Sequence, residues 1–301
     1  MNRLNTAFCM VLLLAVLACA GPGPGSTAKD QIADVGGARL AMTTQGTGVP
    51  VVFVHGALSD RRTWENQRAA FAERYRFIAY SQRYFGLEAW PDDGATYGPA
   101  THAADLIALI QSLGAGPVHV VAWSYGGAVA TLAALERPEL FRSLSMHEPG
   151  LSGLLVDRPE AASAVASFRS SLAPAMQAAT GGDLQNSAKR FIEGVYGMQP
   201  GSFDQAEMGS RSIILDNART LTRALRAPSP AVNCQRLAGL KVPTLVLGGV
   251  DSIPYFRHIN EAYVRCAPSA RLVTLANSGH DSPRKVPDAF NRAVLDFLAE
   301  R

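Results

Sequence analysis

Charge is the first thing this sequence has little of. Only 18% of its 301 residues are Asp, Glu, Lys or Arg, and the formal net charge is +3. The basic residues form no run, so nucleic acid and other polyanions are poor candidate partners. Cysteine is scarcer still. Of four, Cys9 and Cys19 fall in the first twenty residues, leaving Cys234 and Cys266 for the body. That count excludes a disulfide-dense mini-fold and a cysteine-rich metal site. His102, His119, His147 and His258 lack ligand spacing, so no metal is expected. The glycine pairs Gly36-Gly37 and Gly248-Gly249 lack the G-x-G-x-x-G spacing of a dinucleotide site and read as turns, so no cofactor is expected. What the chain does have is apolar content, 48%, enough for a well-packed globular enzyme rather than a disordered chain.

The N-terminus reads as an export signal. Met1-Asn2-Arg3 is a short positive start, and Ala7–Ala18 is an apolar run too short to span a bilayer but suited to a signal-peptide core. Ala18-Cys19-Ala20 fits ordinary cleavage. Val16-Leu17-Ala18-Cys19 resembles a lipobox, in which Cys19 would be lipidated and attach the protein to a membrane. Residues 1–20 are thus expected to be a signal peptide and 21–30, rich in Gly and Pro, a flexible tether. The expected location is the periplasm or cell envelope, with or without a lipid anchor.

From residue 31 onward strands and helices alternate. "QIADV", "ARLAMTTQG", "VPVVFVHG", "RFIAYS", "PVHVVAW" and "RSLSMHEP" read as six strands, several of them continuous apolar runs of the kind that buried parallel strands show. Alternation then stops. Residues 151–240 hold three helical patterns, "AASAVASFRSSLAPAMQAA", "LQNSAKRFIEGVYG" and "SRSIILDNARTLTRALRA", and no strand. Strands return at "VPTLVLGG" and "ARLVTLAN". The expected fold class is α/β: a mostly parallel sheet flanked by helices, built from 31–150 and 241–301, with 151–240 inserted as a helical cap. Cys234 and Cys266 each precede one of the last two strands, on neighbouring connections. In an oxidising compartment they are expected to pair, the alternative being two buried thiols.

In "VVAWSYGGAVA" a strand meets a helix with Ser124 at the junction and glycines just after it. A strand, a sharp turn bearing a hydroxyl and a helix form a nucleophile elbow, whose common pattern is G-x-S-x-G; here it is Ala122-Trp123-Ser124-Tyr125-Gly126. The bland alternative is a helix N-cap serine. A serine nucleophile needs a base and an orienting acid, expected in the order Ser, acid, His. Asp251 follows one strand in "GGVDS" and His280 follows the next in "SGHDSP".

With "VHGALSD", "AWSYGG", "GGVDS" and "SGHDSP" in that order, the chain resembles the α/β-hydrolase family, serine-nucleophile branch, from about Val35 to Arg301. The resemblance implies Ser124 as nucleophile, His280 as base, Asp251 as the acid, and the backbone N–H groups of Ala57 and Tyr125 as the oxyanion hole. Glu148, at the end of the preceding strand, is the alternative acid. His55 is expected to shape the oxyanion loop rather than transfer protons, and His55, Trp123 and Glu148 are candidates for lining the substrate site. Arg83 is expected to form a structural ion pair. A serine, not an aspartate, at the elbow disfavours epoxide and halide chemistry. The expected partner is a small or medium ester-like substrate. The alternatives are a carbon–carbon bond hydrolase, a cofactor-free haloperoxidase or perhydrolase, and a non-catalytic binding protein on the same fold.

Overall fold

The computed structural model describes residues 27–301, so the expected signal peptide and Cys19 lie outside the described residues. Eight strands form one sheet: β1 (Lys29–Val35), β2 (Ala38–Gln45), β3 (Pro50–Val54), β4 (Arg76–Tyr80), β5 (Val118–Trp123), β6 (Phe141–His147), β7 (Thr244–Gly249) and β8 (Ala270–Leu275). Their order is β1-β2-β4-β3-β5-β6-β7-β8. β2 runs antiparallel to β1 and to β4, and every other pairing is parallel. All eight coincide with the strand patterns in the sequence.

Both faces of the central strands are buried, which is why they read as unbroken apolar runs. Alternate residues serve opposite layers. Val52, Val54, Val120 and Ala122 join one apolar cluster, whereas Val51, Phe53, Val121 and Trp123 join the other. The first layer takes helices from α2 (Pro99–Ser112), α3 (Tyr125–Glu136) and α9 (Pro254–Cys266). The second takes α1 (Glu65–Ala72) and α11 (Pro287–Ala299), with Phe71, Phe290 and Phe297 buried against the sheet.

Between β6 and β7 the chain leaves the sheet for α4 (Ala162–Thr180), α5 (Leu184–Tyr196), α6 (Met208–Asp216), α7 (Leu221–Ala224) and α8 (Cys234–Leu237); α10 (Ser282–Lys285) follows β8. α4 and α5 lie close enough that a Cβ on Gly194 would sit 2.5 Å from the Ser171 carbonyl oxygen. The third expected helix is broken in two. At Asn217 the side chain accepts from the Gly86 N–H at 2.7 Å and donates to Asp60 Oδ2 and the Ile213 carbonyl, both at 2.8 Å. A fully buried amide bonded to two separate loops holds the chain in place and interrupts the helical ladder there.

Cys234 and Cys266 are disulfide-bonded, with Cα atoms 5.0 Å apart. The bond ties the start of α8 to the end of α9, on the connections that enter β7 and β8 from their amino ends. No helix among the described residues is long and apolar enough to cross a membrane.

Candidate active site

β5 ends in the expected elbow. Ser124 has φ 53° and ψ −119°, a conformation L-residues rarely adopt and one that functional turns retain. The surrounding backbone holds it there: its N–H donates to the His147 carbonyl at 2.9 Å, and its carbonyl accepts from Gly127 at 2.9 Å and Gly150 at 2.8 Å. The two glycines are sterically required. A Cβ on Gly126 would overlap the carbonyl oxygens of Val54 and His55, and one on Gly127 would lie 2.7 Å from Pro149 Cβ. Ser124 is partly exposed, at the N-terminus of α3, where the helix dipole favours developing negative charge.

The loop after β3 passes over the elbow, and a Cβ on Gly56 would fall 3.2 Å from Ser124 Cβ. Gly56, Ala57, Ser124 and Tyr125 line one cavity. Neither the Ala57 nor the Tyr125 backbone N–H has a protein acceptor among the described residues. His55 stands behind this loop, fully buried. Its Nδ1 donates to the Gly56 carbonyl at 2.8 Å, and its Nε2 accepts from the Gln82 backbone N–H at 3.0 Å. Burial lowers its pKa to about 4, so the ring is neutral and both nitrogens are occupied. Gln82 Nε2 adds a bond to the His55 carbonyl at 2.8 Å. His55 thus shapes the loop. It does not line the cavity, contrary to one sequence expectation.

His280, in the loop after β8, lines the cavity on the other side of Ser124. Its ring stacks on Phe256, centroids 3.9 Å apart and planes within 12°, and meets Tyr196 edge-on at 5.6 Å. Its Nδ1 bonds Glu148 Oε2 at 2.7 Å. Here the structure corrects the sequence reading: the imidazole's carboxylate partner is Glu148, not Asp251. β7 ends at Gly249, and Asp251 lies on the exposed turn beyond it, its backbone N–H bonded to the Ser278 carbonyl at 2.9 Å. Its carboxylate faces a neighbouring outer cavity. Glu148 directly follows β6 with φ 45°, and this turn brings its side chain to His280. Oε1 accepts from the Gly249 N–H at 3.0 Å and from the Ser252 hydroxyl. Burial alone would raise the Glu148 pKa. The His147 and His280 imidazoles and the Ser252 hydroxyl outweigh it and lower the value to about 2. Glu148 is fully buried, so it too is not a cavity-lining residue.

His147, Glu148 and His280 bring ligating atoms within 4.8 Å of one another. Both Glu148 oxygens accept hydrogen bonds and His147 Nε2 donates to the Gly279 carbonyl at 3.1 Å, while His147 Nδ1 has no partner among the described residues. Within the trio the one hydrogen bond is that between His280 and Glu148.

The inner cavity measures about 200 Å³. Trp123, as expected, contributes to its wall, and Phe168, Phe191, Ile192, Val195 and Leu225 from α4, α5 and the segment after α7 close it. An outer cavity of about 900 Å³ adjoins it, and Tyr196, His280 and Arg284 line both.

The alpha/beta hydrolase family model matches residues 51–293. This chain belongs to the alpha/beta hydrolase family. It is 36% identical over 125 residues to an epoxide hydrolase of Caballeronia sordidicola, a match covering 41% of this chain and only 37% of that relative. It is 26% identical over 275 residues to a Mycobacterium tuberculosis protein named as non-heme bromoperoxidase BpoC, covering 87% of this chain and 98% of the relative. A thermophilic esterase from Thermogutta terrifontis shares the fold, with TM-score 0.68, 23% identity and coverage of 90% and 98%.

Several residues that shape this hydrolase's site carry no motif. Gly248 lies in β7 and not in the turn expected from the sequence, and a Cβ there would meet Asn260 Nδ2 at 2.6 Å and Glu148 Oε1 at 3.7 Å. Its lack of a side chain leaves room for the buried carboxylate. Ser252, Phe256 and Gln82 act only through tertiary contacts. Arg83 forms the expected structural pair, with Asp105 at 2.6 Å.

Proposed function

We propose that this alpha/beta hydrolase cleaves a small or medium ester, or a related carbonyl bond, through an acyl-enzyme on Ser124. His280 is the general base, Glu148 the orienting acid, and the Ala57 and Tyr125 N–H groups the oxyanion hole. The observation that carries this reading is the 2.7 Å bond from buried Glu148 to His280, which lines the same cavity as Ser124. An ionised carboxylate on Nδ1 keeps the proton on that nitrogen and leaves the Nε2 lone pair to take the Ser124 proton. As Oγ attacks, the carbonyl oxygen becomes an oxyanion facing two unpaired backbone donors, each worth about 10²–10³ in rate. The imidazolium then protonates the leaving group, and water repeats the sequence on the acyl-enzyme. Glu148 stabilises the imidazolium without taking the proton, as its low pKa supports. We further propose that residues 151–240 act as the cap, since side chains from α4–α6 line the cavity and the small volume favours a compact substrate over a polymer.

The epoxide hydrolase relatives do not transfer their named activity, because the elbow carries serine and not a carboxylate. The BpoC relative keeps a second outcome in view: hydrogen peroxide, instead of water, intercepting the same acyl-enzyme to give a peracid. The Cys234–Cys266 bond supports export to an oxidising compartment. A fluorophosphonate probe should label the wild-type protein and not Ser124→Ala, and Ser124→Ala should retain under about 1% of ester turnover with the fold intact. Labelling that persists in Ser124→Ala, or no labelling and no turnover across an ester panel, would favour the binding-protein alternative.

A further inference from the structure

Within the reading of a serine hydrolase, the cavity holds one group whose charge the chemistry does not use. Arg284, in α10, lines both the inner cavity and the outer one. Its guanidinium lies over the Trp123 ring at 5.1 Å and the Tyr196 ring at 5.8 Å. Nη2 donates to the Tyr196 hydroxyl at 2.6 Å, and that is its one polar partner among the described residues. Among the described residues it has no carboxylate within ion-pair distance. The other arginine at the outer cavity, Arg62, is paired with Asp60 and Asp216. The acidic groups around the outer cavity, Glu65, Glu207, Asp251 and Asp281, form no ion pair with Arg284 among the described residues, although Arg284 is near enough to Glu207 to help lower its pKa. Glu207 caps α6 through the Gly209 and Ser210 N–H groups, Asp281 accepts from the Gly279 N–H at 3.4 Å, and Asp251 sits on an exposed turn.

We propose that Arg284 is a specificity-determining residue that binds a carboxylate of the substrate, so that the natural substrate is an anionic ester or lactone carrying a free carboxylate beyond the scissile carbonyl. A half-buried guanidinium between two aromatic rings loses part of its hydration and makes no contact ion pair in return, so a carboxylate arriving with substrate supplies the missing direct partner. The planar fork suits that partner, because two parallel N–H donors match two carboxylate oxygens. The position fits as well. Arg284 stands where the inner cavity meets the outer one, so an apolar chain can occupy the Phe168–Val195 side while its charged end meets the guanidinium. Apart from the catalytic groups and Ser59 the rest of the inner wall is aromatic and aliphatic and carries no other charged side chain, so Arg284 would separate anionic from neutral substrates.

The test compares two 4-nitrophenyl esters of equal acyl length, the valerate and the mono-ester of glutaric acid. Wild-type protein should prefer the hemiester in kcat/KM. Arg284→Gln should lower the hemiester-to-valerate ratio by about 10- to 100-fold, the scale of a charge-assisted hydrogen bond, and Arg284→Lys should recover part of it. Without any variant, glutarate should slow fluorophosphonate labelling of Ser124 and glutaramide should not. A ratio unchanged in Arg284→Gln, or equal protection by glutarate and glutaramide, overturns the proposal. If Ser124 is labelled and valerate is cleaved while the ratio is indifferent to Arg284, the hydrolase reading stands and the anionic substrate falls. If neither ester turns over and Ser124 is not labelled, the hydrolase reading falls and takes the proposal with it.

Discussion

Replacing Glu148 by Gln changes one oxygen into an amide nitrogen and tests which carboxylate serves His280. In the native site Oε1 receives the Gly249 N–H at 3.0 Å and the Ser252 hydroxyl, and Oε2 receives His280 Nδ1 at 2.7 Å. Glutamine has a single acceptor oxygen, which must choose between these sides. The Gly249 N–H is fixed in the backbone of β7 and cannot turn away, so the amide oxygen stays with it. The amide nitrogen, a donor only, then faces Nδ1. His280 can satisfy it only by moving its own proton to Nε2, the nitrogen that must accept from Ser124. The wrong tautomer at a hydrolytic histidine costs about 10⁴ in kcat, and the loss of the buried negative charge removes stabilisation of the imidazolium as well. Glu148→Gln should therefore lower kcat on a 4-nitrophenyl ester by about 10⁴, with KM little changed. Asp251→Asn, at an exposed carboxylate off the imidazole, should change kcat by less than about threefold. Circular dichroism establishes that both variants fold. A Glu148→Gln enzyme within tenfold of wild type, or a collapse of activity in Asp251→Asn, would refute the assignment and return the acid to the turn after β7.

Two further outcomes concern stability. Cys234→Ser/Cys266→Ser opens a loop of 32 residues, which the chain-entropy account values at about 3–4 kcal/mol. The melting temperature should fall by about 10 °C, as should that of wild-type protein given reductant, and an unchanged melt would show that the bond constrains little. The second is acid lability. Burial lowers the His55 and His102 pKa values from 6.5 to about 4 and about 3, so the unfolded chain takes up these protons first and stability falls as pH drops below 6.5. Glu148 adds to this lower down. Its folded value, about 2, lies below the unfolded 4.5, so its contribution is present above 4.5 and is lost as pH falls toward 2. Urea midpoints should decline stepwise from pH 7 to pH 3, and Glu148→Gln should flatten the part below 4.5; a midpoint independent of pH in wild type would contradict both causes.

What was legible in the sequence was what local pattern encodes. Strands β3, β5 and β7 are buried on both faces, so each wrote an apolar run that needed no partner to be recognised. Ser124 and His280 were legible because a tight elbow demands Gly126 and Gly127 beside it, and because a histidine loop after the last strand has a fixed place in chain order. The acid was not legible in the same way. Glu148 and Asp251 both follow strands at the same edge of the sheet, and either order satisfies serine, acid, histidine. The choice between them is made by where a side chain points, through a φ of 45° at Glu148 and the space left by Gly248. Neither feature has a periodicity or a spacing; both arise from β6 and β7 lying side by side. The same holds for Asn217, which broke an otherwise sound helical pattern by bonding Gly86 and Asp60 from distant loops. It holds most of all for Arg284. In the sequence it is one basic residue in "SPRKVP" next to Lys285, with nothing to separate the two. Only packing places one guanidinium over Trp123 and Tyr196 at the cavity while its neighbour is exposed to solvent. Ser124 and His280 thus occupy places that chain order marks, whereas the approach of Glu148 to His280 and the place of Arg284 at the cavity depend on contacts between segments that the order does not specify.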